Sequence, residues 1–149
     1  MKRFLCLATA VLFVLVCFAG CASNYSDTSL ANGLAKAGYT VDRYDKNTFE
    51  GAQFTVALET SKMEGLEKVI YAYKTVNGEE DGILILVFDS TEHADKYGST
   101  TTGTATETMS MLYAFGRRHA PETDTSVYGT ANNLIWAGSS AAKSAAGIN

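Results

Sequence analysis

Residues 68–88 read KVIYAYKTVNGEEDGILILVF, and they carry the clearest hairpin signal in the chain. Lys68 to Val76 is rich in Val, Ile and Tyr, which are residues that favour strands. Asn77 to Gly82 is a polar connection with two glycines, which indicates a turn between two strands. Ile83 to Phe88 is apolar without interruption. Such a run predicts a strand buried on both faces near the middle of a sheet.

Weaker signals precede this hairpin. Helical spacing predicts a short helix over about residues 29–37, with Gly38 as its stop. Residues 39–44 alternate and predict a strand, and alternation over residues 54–58 indicates another. The candidates for the cap of the helix are Asp27, Thr28 and Ser29.

After the hairpin, residues 89–92 (DSTE) resemble a capping box and predict the start of a second helix. Residues 98–108 hold six threonines and two glycines, so the helix is expected to end or loosen there. A helical face can resume near Met109 and last until Gly116. Residues 117–124 then read as a polar loop.

The C-terminal part predicts a closing hairpin and a last helix. Its strands are residues 126–128 and residues 134–137, joined across residues 129–133. Ser139 is the expected cap of the final helix. Strands clustered between helices and joined by hairpins favour an α+β fold. We therefore expect a single antiparallel sheet with helices packed on one face, preceded by a cleaved N-terminal signal helix.

Composition fits one globular domain, since 149 residues with 46% hydrophobic and 19% charged residues are ordinary values. The first 20 residues contain two of the 12 basic residues and none of the 16 acidic ones, so without them the net charge falls from −4 to about −6. A negative surface repels phosphate backbones. Nucleic acid is therefore not an expected partner.

The three cysteines, Cys6, Cys17 and Cys21, all lie at or before the end of the first apolar run. The rest of the chain therefore has no disulfide framework, no thiolate metal site and no cysteine nucleophile. A basic start at Lys2-Arg3 and the apolar run Phe4–Phe18 form the layout of a secretory signal. The run is shorter than the roughly 20 residues that a spanning helix needs.

Phe18-Ala19-Gly20-Cys21 resembles the bacterial lipobox, whose usual form is Leu, a small residue, Gly or Ala, and then Cys. The resemblance implies cleavage before Cys21 and attachment of lipid to its sulfur. Two or more acyl chains hold a protein firmly, because each buried CH₂ contributes about 0.8 kcal/mol. The alternatives are an ordinary cleaved signal, with Cys21 as a bystander, and an uncleaved anchor.

The layout after the signal is similar to a group of small lipoproteins from Gram-positive, gut-type bacteria that have no assigned function. Three short motifs carry this similarity: residues 37–41 (AGYTV), residues 87–90 (VFDS) with Ala94, and residues 136–139 (WAGS) with Ala142. The resemblance implies a tethered domain and no particular activity.

Two histidines are the first candidates for chemistry. His93 has Glu92 and Asp95 beside it, but a metal site needs at least three converging ligands, so a solvent-facing helix position is expected. His119 is expected on the surface of the polar loop. No catalytic residue, metal ligand or cofactor is predicted from either.

Other patterns also favour structural roles. Residues 98–104 have the glycine spacing of a phosphate loop but lack its lysine and follow a helix. Ser139-Ser140 is better explained as a helix cap than as a nucleophile. Glu79-Glu80-Asp81 is interpreted as a solvated turn, since the calcium-loop pattern is absent.

Aromatic residues give the one hint of binding. Tyr71 and Tyr73 fall on one face of their predicted strand, where tyrosines can form a binding platform or simply serve as good strand residues. Further aromatic residues lie on the other predicted strands: Tyr39, Tyr44, Tyr128 and Trp136.

Residues 1–20 are thus interpreted as a lipoprotein signal peptide, residues 21–27 as the lipidated cysteine with a short tether, and residues 28–149 as one extracytoplasmic domain. We expect a lipid anchor on the outer face of the cell membrane, or in the outer membrane of a host that has two. The expected role is non-catalytic binding of an envelope protein or small ligand. The alternatives are an assembly factor of the cell envelope and a small extracytoplasmic enzyme.

Overall fold

The computed structural model describes residues 24–45, 47–49, 58–98 and 103–149. Within these residues, five strands form one open antiparallel sheet and four α-helices pack on it. The predicted α+β class with a single antiparallel sheet is therefore confirmed. The predicted signal peptide, Cys21 and most of the candidate strand at residues 54–58 lie outside the described residues.

Strand β3 lies at the centre of the sheet, whose order is β1-β2-β3-β5-β4. Each neighbouring pair is antiparallel. In chain order the elements are α1 (Asp27–Lys36), β1 (Thr40–Asp45), a 3₁₀ turn (Thr60–Lys62), β2 (Leu66–Val76), β3 (Glu79–Phe88), α2 (Thr91–Gly98), α3 (Gly103–His119), β4 (Tyr128–Ala131), β5 (Leu134–Gly138) and α4 (Ser140–Ala145).

The apolar run Ile83–Phe88 forms the inner half of β3 and is buried on both faces, as predicted. Successive side chains of a strand point to opposite faces of the sheet. Every side chain of this run is at most 4% exposed. The hydrophobic effect on both sides of this one strand therefore holds the two layers of helices against the sheet.

Helices cover both faces of the sheet, whereas the sequence analysis placed them on one face. A core strand that is apolar on both sides needs cover on both. Helices α2 and α3 lie over the first core cluster: Phe49, Leu58, Met63, Leu66, Val69, Leu84, Leu86, Phe88, Ala94, Tyr97, Met109, Leu112, Ile135 and Ala137. Helices α1 and α4 lie over the second: Leu30, Leu34, Tyr39, Ile70, Ala72, Ile83, Ile85, Val87, Leu134, Trp136, Ala142, Ala146 and Ile148.

The β2–β3 connection is shorter than predicted, because the turn consists of Asn77 and Gly78 alone. Their φ angles of 54° and 87° are left-handed, which suits a two-residue hairpin turn. Glu79 to Gly82 continues as strand and pairs with the end of β2. The polar residues that suggested a loop therefore extend β3 at its N-terminal end.

Helix α3 begins at Gly103 and runs through Gly116 to His119. The expectation that the helix ends or loosens within residues 98–108 is confirmed at Gly98, where α2 ends, but it is wrong for residues 103–108, which are helical. The expectation that Arg117 starts a loop is also wrong. Close packing explains why a glycine stands at this position inside the helix, because a Cβ atom there would lie 3.0 Å from the carbonyl carbon of Val127. A larger residue would keep the helix away from the chain beside it.

Helix ends follow local chemistry. Ser26 caps α1 by accepting a hydrogen bond from the backbone N–H of Ser29 at 3.2 Å, one residue before the candidates that the sequence suggested. Gly38, with a φ of 84°, follows the helix as predicted. Ser139 caps α4 by accepting from Ala142 N–H at 3.0 Å, which confirms its predicted role.

Candidate binding groove at the hairpin end of the sheet

An open groove of about 710 Å³ lies at the end of the sheet formed by the β2–β3 turn. Three parts of the chain build it: the hairpin tip, the end of α3 with the residues that follow it, and the start of α4. Its lining consists of Val76, Asn77, Glu79, Glu80, Asp81, Arg118, Ala120, Pro121, Glu122 and Ala141.

One side of the groove is a strand edge without a neighbouring strand. Strand β5 pairs with β3 only as far as Ile83↔Gly138, so the first four residues of β3 extend past it. The carbonyl of Gly82 accepts a hydrogen bond from Ser139 N–H at 3.0 Å, on the β5 side. Backbone direction alternates along a strand, so the N–H and C=O of Glu80 also point to this side. Among the described residues, no strand pairs with them there.

His119 sits beside this edge and is buried, not exposed in a loop as the sequence analysis expected. It ends α3, is 8% exposed, and packs its ring against Phe115 with 4.2 Å between ring centres. Its Nδ1 lies 2.7 Å from Oε1 of Glu80, but the ring is not aligned for a hydrogen bond. Oε1 of Glu80 instead accepts one from the hydroxyl of Tyr71 at 3.0 Å.

Burial sets the protonation of this cluster. It lowers the pKa of His119 from its usual value near 6.5, against the opposing pull of the Glu80 carboxylate. Burial also raises the pKa of Tyr71, and the hydrogen bond to Glu80 raises it further. His119 is therefore neutral at pH 7, and the negative charge on Glu80 is left without a cationic neighbour from this ring.

This lowered pKa predicts that His119 destabilises the fold in acid. As the pH falls through about 6.5, the unfolded chain takes up the proton before the folded chain does, so the free energy of unfolding declines. Relative to His119→Gln, the unmodified chain should therefore lose stability between pH 8 and pH 5. Urea unfolding at a series of pH values measures this difference.

His93 supplies a control of opposite sign. Its pKa is raised, first by the hydrogen bond with Asp89. Its stabilising contribution is complete below pH 6.5 and is lost as the pH rises through the folded-state pKa. The stability difference between the unmodified chain and His93→Gln should accordingly shrink toward high pH. Profiles of the same sign for both histidines would contradict the two assignments.

Asp81 forms a part-buried polar cluster on the opposite face of β3, which corrects its interpretation as part of a solvated turn. Its side chain is 13% exposed and accepts hydrogen bonds from the hydroxyls of Ser139 and, at 2.7 Å, Tyr39. Lys74 lies 3.9 Å from the carboxylate and 4.1 Å from the centre of the Tyr39 ring. Burial, then the contact with Asp81, raises the pKa of Tyr39. The cluster fastens the end of the sheet to α4.

The aromatic residues do not form one platform. Tyr71 and Tyr73 share a face and stack with ring centres 5.2 Å apart, as the sequence suggested. Tyr39 and Trp136 belong to the second core cluster, on the other face of the sheet. Tyr71 is half-buried beside Phe115, so these rings mainly belong to the packed layer.

His93 lies on a separate surface, not in the groove. Its Nδ1 lies 2.6 Å from Asp89 and its Nε2 lies 3.7 Å from Glu64, while Glu64 also binds Lys96 at 2.6 Å. This is a surface ion-pair network at the start of α2. In the part of the chain that the structure describes, no three His, Cys, Asp or Glu residues converge to hold a metal ion.

The groove could not be predicted from the sequence, because hydrogen bonds and packing between distant residues assemble it. One signal was available: Arg117, Arg118 and His119 are basic residues of the kind that favour a helix C-terminus. Among the described residues, no helix is both long and apolar enough to cross a membrane. Comparison with known proteins found no matching family model, no similar curated protein and no similar solved structure.

Proposed function

We propose that this chain is a lipoprotein, anchored through Cys21 to the outer face of the cell membrane, whose domain binds a partner without catalysing a reaction. The lipobox-like residues 18–21 support the anchor. The groove at the hairpin end supports the binding role, because it is concave and joins polar side chains to an unpaired strand edge.

The proposal depends most on the hydrogen bonds that attach Tyr25 to Asn133, because they fix the place where the chain enters the domain. Asn133 accepts a hydrogen bond from Tyr25 N–H at 2.7 Å and donates one to the Tyr25 carbonyl at 3.2 Å. Asn133 is buried and also donates to the Phe88 carbonyl at 2.9 Å. The chain therefore enters the domain at the Phe88 end of β3, and the groove lies at the Glu79 end.

Distances along the chain indicate how the domain would be oriented relative to the membrane. Cys21 precedes Tyr25 by four residues, which span at most about 14 Å. Strand β3 has ten residues, and at about 3.4 Å per residue its ends are roughly 30 Å apart. A lipid on Cys21 would thus hold the Asn133 end near the bilayer and leave the groove facing outward, where an envelope partner can reach it.

Replacement of the anchor cysteine tests the proposal. Cys21→Ser should abolish incorporation of a palmitate analogue and leave the uncleaved precursor in the membrane, because the sulfur that receives the lipid is gone. Labelling in living bacteria, followed by immunoprecipitation and gel analysis, measures both effects. The expected change is complete loss of label.

Cys17→Ser is the matched control, since Cys17 lies inside the apolar run and four residues before the expected lipid site. This variant should be labelled and cleaved like the unmodified chain. Normal labelling of Cys21→Ser would show that the anchor assignment is wrong.

A further inference from the structure

We infer that the groove takes an extended peptide with basic side chains, which pairs with the free edge of β3 at Glu80 as an added strand. This inference rests on the binding role proposed above and names the class of ligand. Peptides commonly join a sheet in this way, with backbone hydrogen bonds supplying affinity and side-chain pockets supplying selectivity.

The backbone edge of β3 at Glu80 is where the peptide would pair. Between the turn at Gly78 and the hydrogen bond from Ser139 to Gly82, no strand in the described part of the chain lies on the outer side of β3. The N–H and C=O of Glu80 point into this space. Ala120 and Pro121 also line the groove, and Pro121 has no backbone N–H.

Charge favours basic side chains on the peptide. Within the described part of the chain, Glu79, Glu80 and Glu122 line the groove without an ion pair to lysine or arginine. Arg118 is the one cation of the lining. Asp81 adds little attraction, because Tyr39, Ser139 and Lys74 already surround its carboxylate.

His119 and Tyr71 hold Glu80 in place beside the groove. His119 is buried, and its Nδ1 lies 2.7 Å from Oε1 of Glu80. The hydroxyl of Tyr71 donates a hydrogen bond to the same oxygen at 3.0 Å. The edge residue whose N–H and C=O would pair with the peptide is therefore fixed by its side chain before a ligand binds.

The test is fluorescence anisotropy with a labelled eight-residue peptide of alternating Lys and Thr, titrated with the full chain in nonionic detergent at low salt. The peptide should bind, and Glu79→Gln combined with Glu122→Gln should weaken binding about fivefold to tenfold, since two carboxylate charges of the lining are removed. Glu92→Gln, on the exposed surface of α2, is the matched control and should leave affinity unchanged.

Two further peptides separate strand addition from simple charge attraction. A peptide with the same sequence but a methyl group on every backbone nitrogen cannot donate the required hydrogen bonds, so it should bind at least tenfold more weakly. A peptide with Glu in place of Lys should not bind. Slower hydrogen exchange at the Glu80 amide on adding the Lys-Thr peptide would locate the added strand directly.

Equal binding of the N-methylated peptide, or of spermine at the same charge, would overturn strand addition. Equal binding of the Glu peptide would overturn the basic ligand class. Self-association of the chain that buries the Glu80 amide and blocks the peptide would show that a second copy occupies the edge instead. All these measurements are made without a membrane, so their failure is distinct from a failure of lipid labelling at Cys21.

Discussion

Ile85→Ala should lower the free energy of unfolding by about 2–5 kcal/mol, the range for large aliphatic side chains removed from a core. Ile85 is fully buried at the middle of β3, opposite Ile70 of β2 and Trp136 of β5. Strands on both sides and helices α1 and α4 above it limit how far the cavity can collapse. The loss is a sizeable share of the roughly 5–15 kcal/mol that a domain usually has.

Denaturant unfolding of the chain beginning at Ser23 measures this loss, provided that the transition is a single cooperative step. Val76→Ala is the matched control, because Val76 is an aliphatic strand residue of the same hairpin that is 43% exposed. It should change stability by no more than about 0.5 kcal/mol. Similar losses at both positions would show that β3 is not the centre of the core.

Gly116→Ala should destabilise the domain by about 1–3 kcal/mol, although alanine is normally the better helix residue by about 1 kcal/mol. Gly116 lies inside α3, and an added Cβ would press on the carbonyl oxygen of Val127 and lie 3.0 Å from its carbonyl carbon. These are backbone atoms that cannot rotate away. The helix would have to shift from the strand layer, and chemical denaturation would report the cost.

Glu107→Ala is the control for helix propensity in the same helix, because Glu107 is exposed. It should stay within about 0.5 kcal/mol of the unmodified chain. If Gly116→Ala stabilised the domain, the close contact between α3 and Val127 would be contradicted. The earlier expectation that the helix ends near Gly116 would then be favoured.

The sequence predicted the elements whose signals are local. The uninterrupted run Ile83–Phe88 predicted a central strand, and β3 is the middle strand of five. Ser139 and Gly38 acted as cap and stop because their effects depend on neighbouring residues alone. The hairpin was predicted, but the predicted turn included residues 79–82, which belong to β3. These polar residues extend past β5 and resemble a loop in sequence.

The site depended on contacts that sequence spacing does not reveal. Packing against Val127 allowed α3 to pass Gly116, and this continuation carried His119 from an expected surface loop into a buried position. Asp81 reaches Ser139 across 58 residues of chain, and Tyr25 reaches Asn133 across 108. Helix propensity and turn composition carry no information about partners at that separation.

The second core cluster has a consequence for the order in which the chain can fold. It joins Leu30, near one end of the domain, to Ala146 and Ile148 at the other. The β2–β3 hairpin needs only nearby residues and can form early, whereas the contacts between β3 and β5 close a loop that contains α2 and α3. A chain that emerges N-terminus first can place α1 on this face early, but Ile83, Ile85 and Val87 lack their contacts with residues 134–148 until that segment arrives.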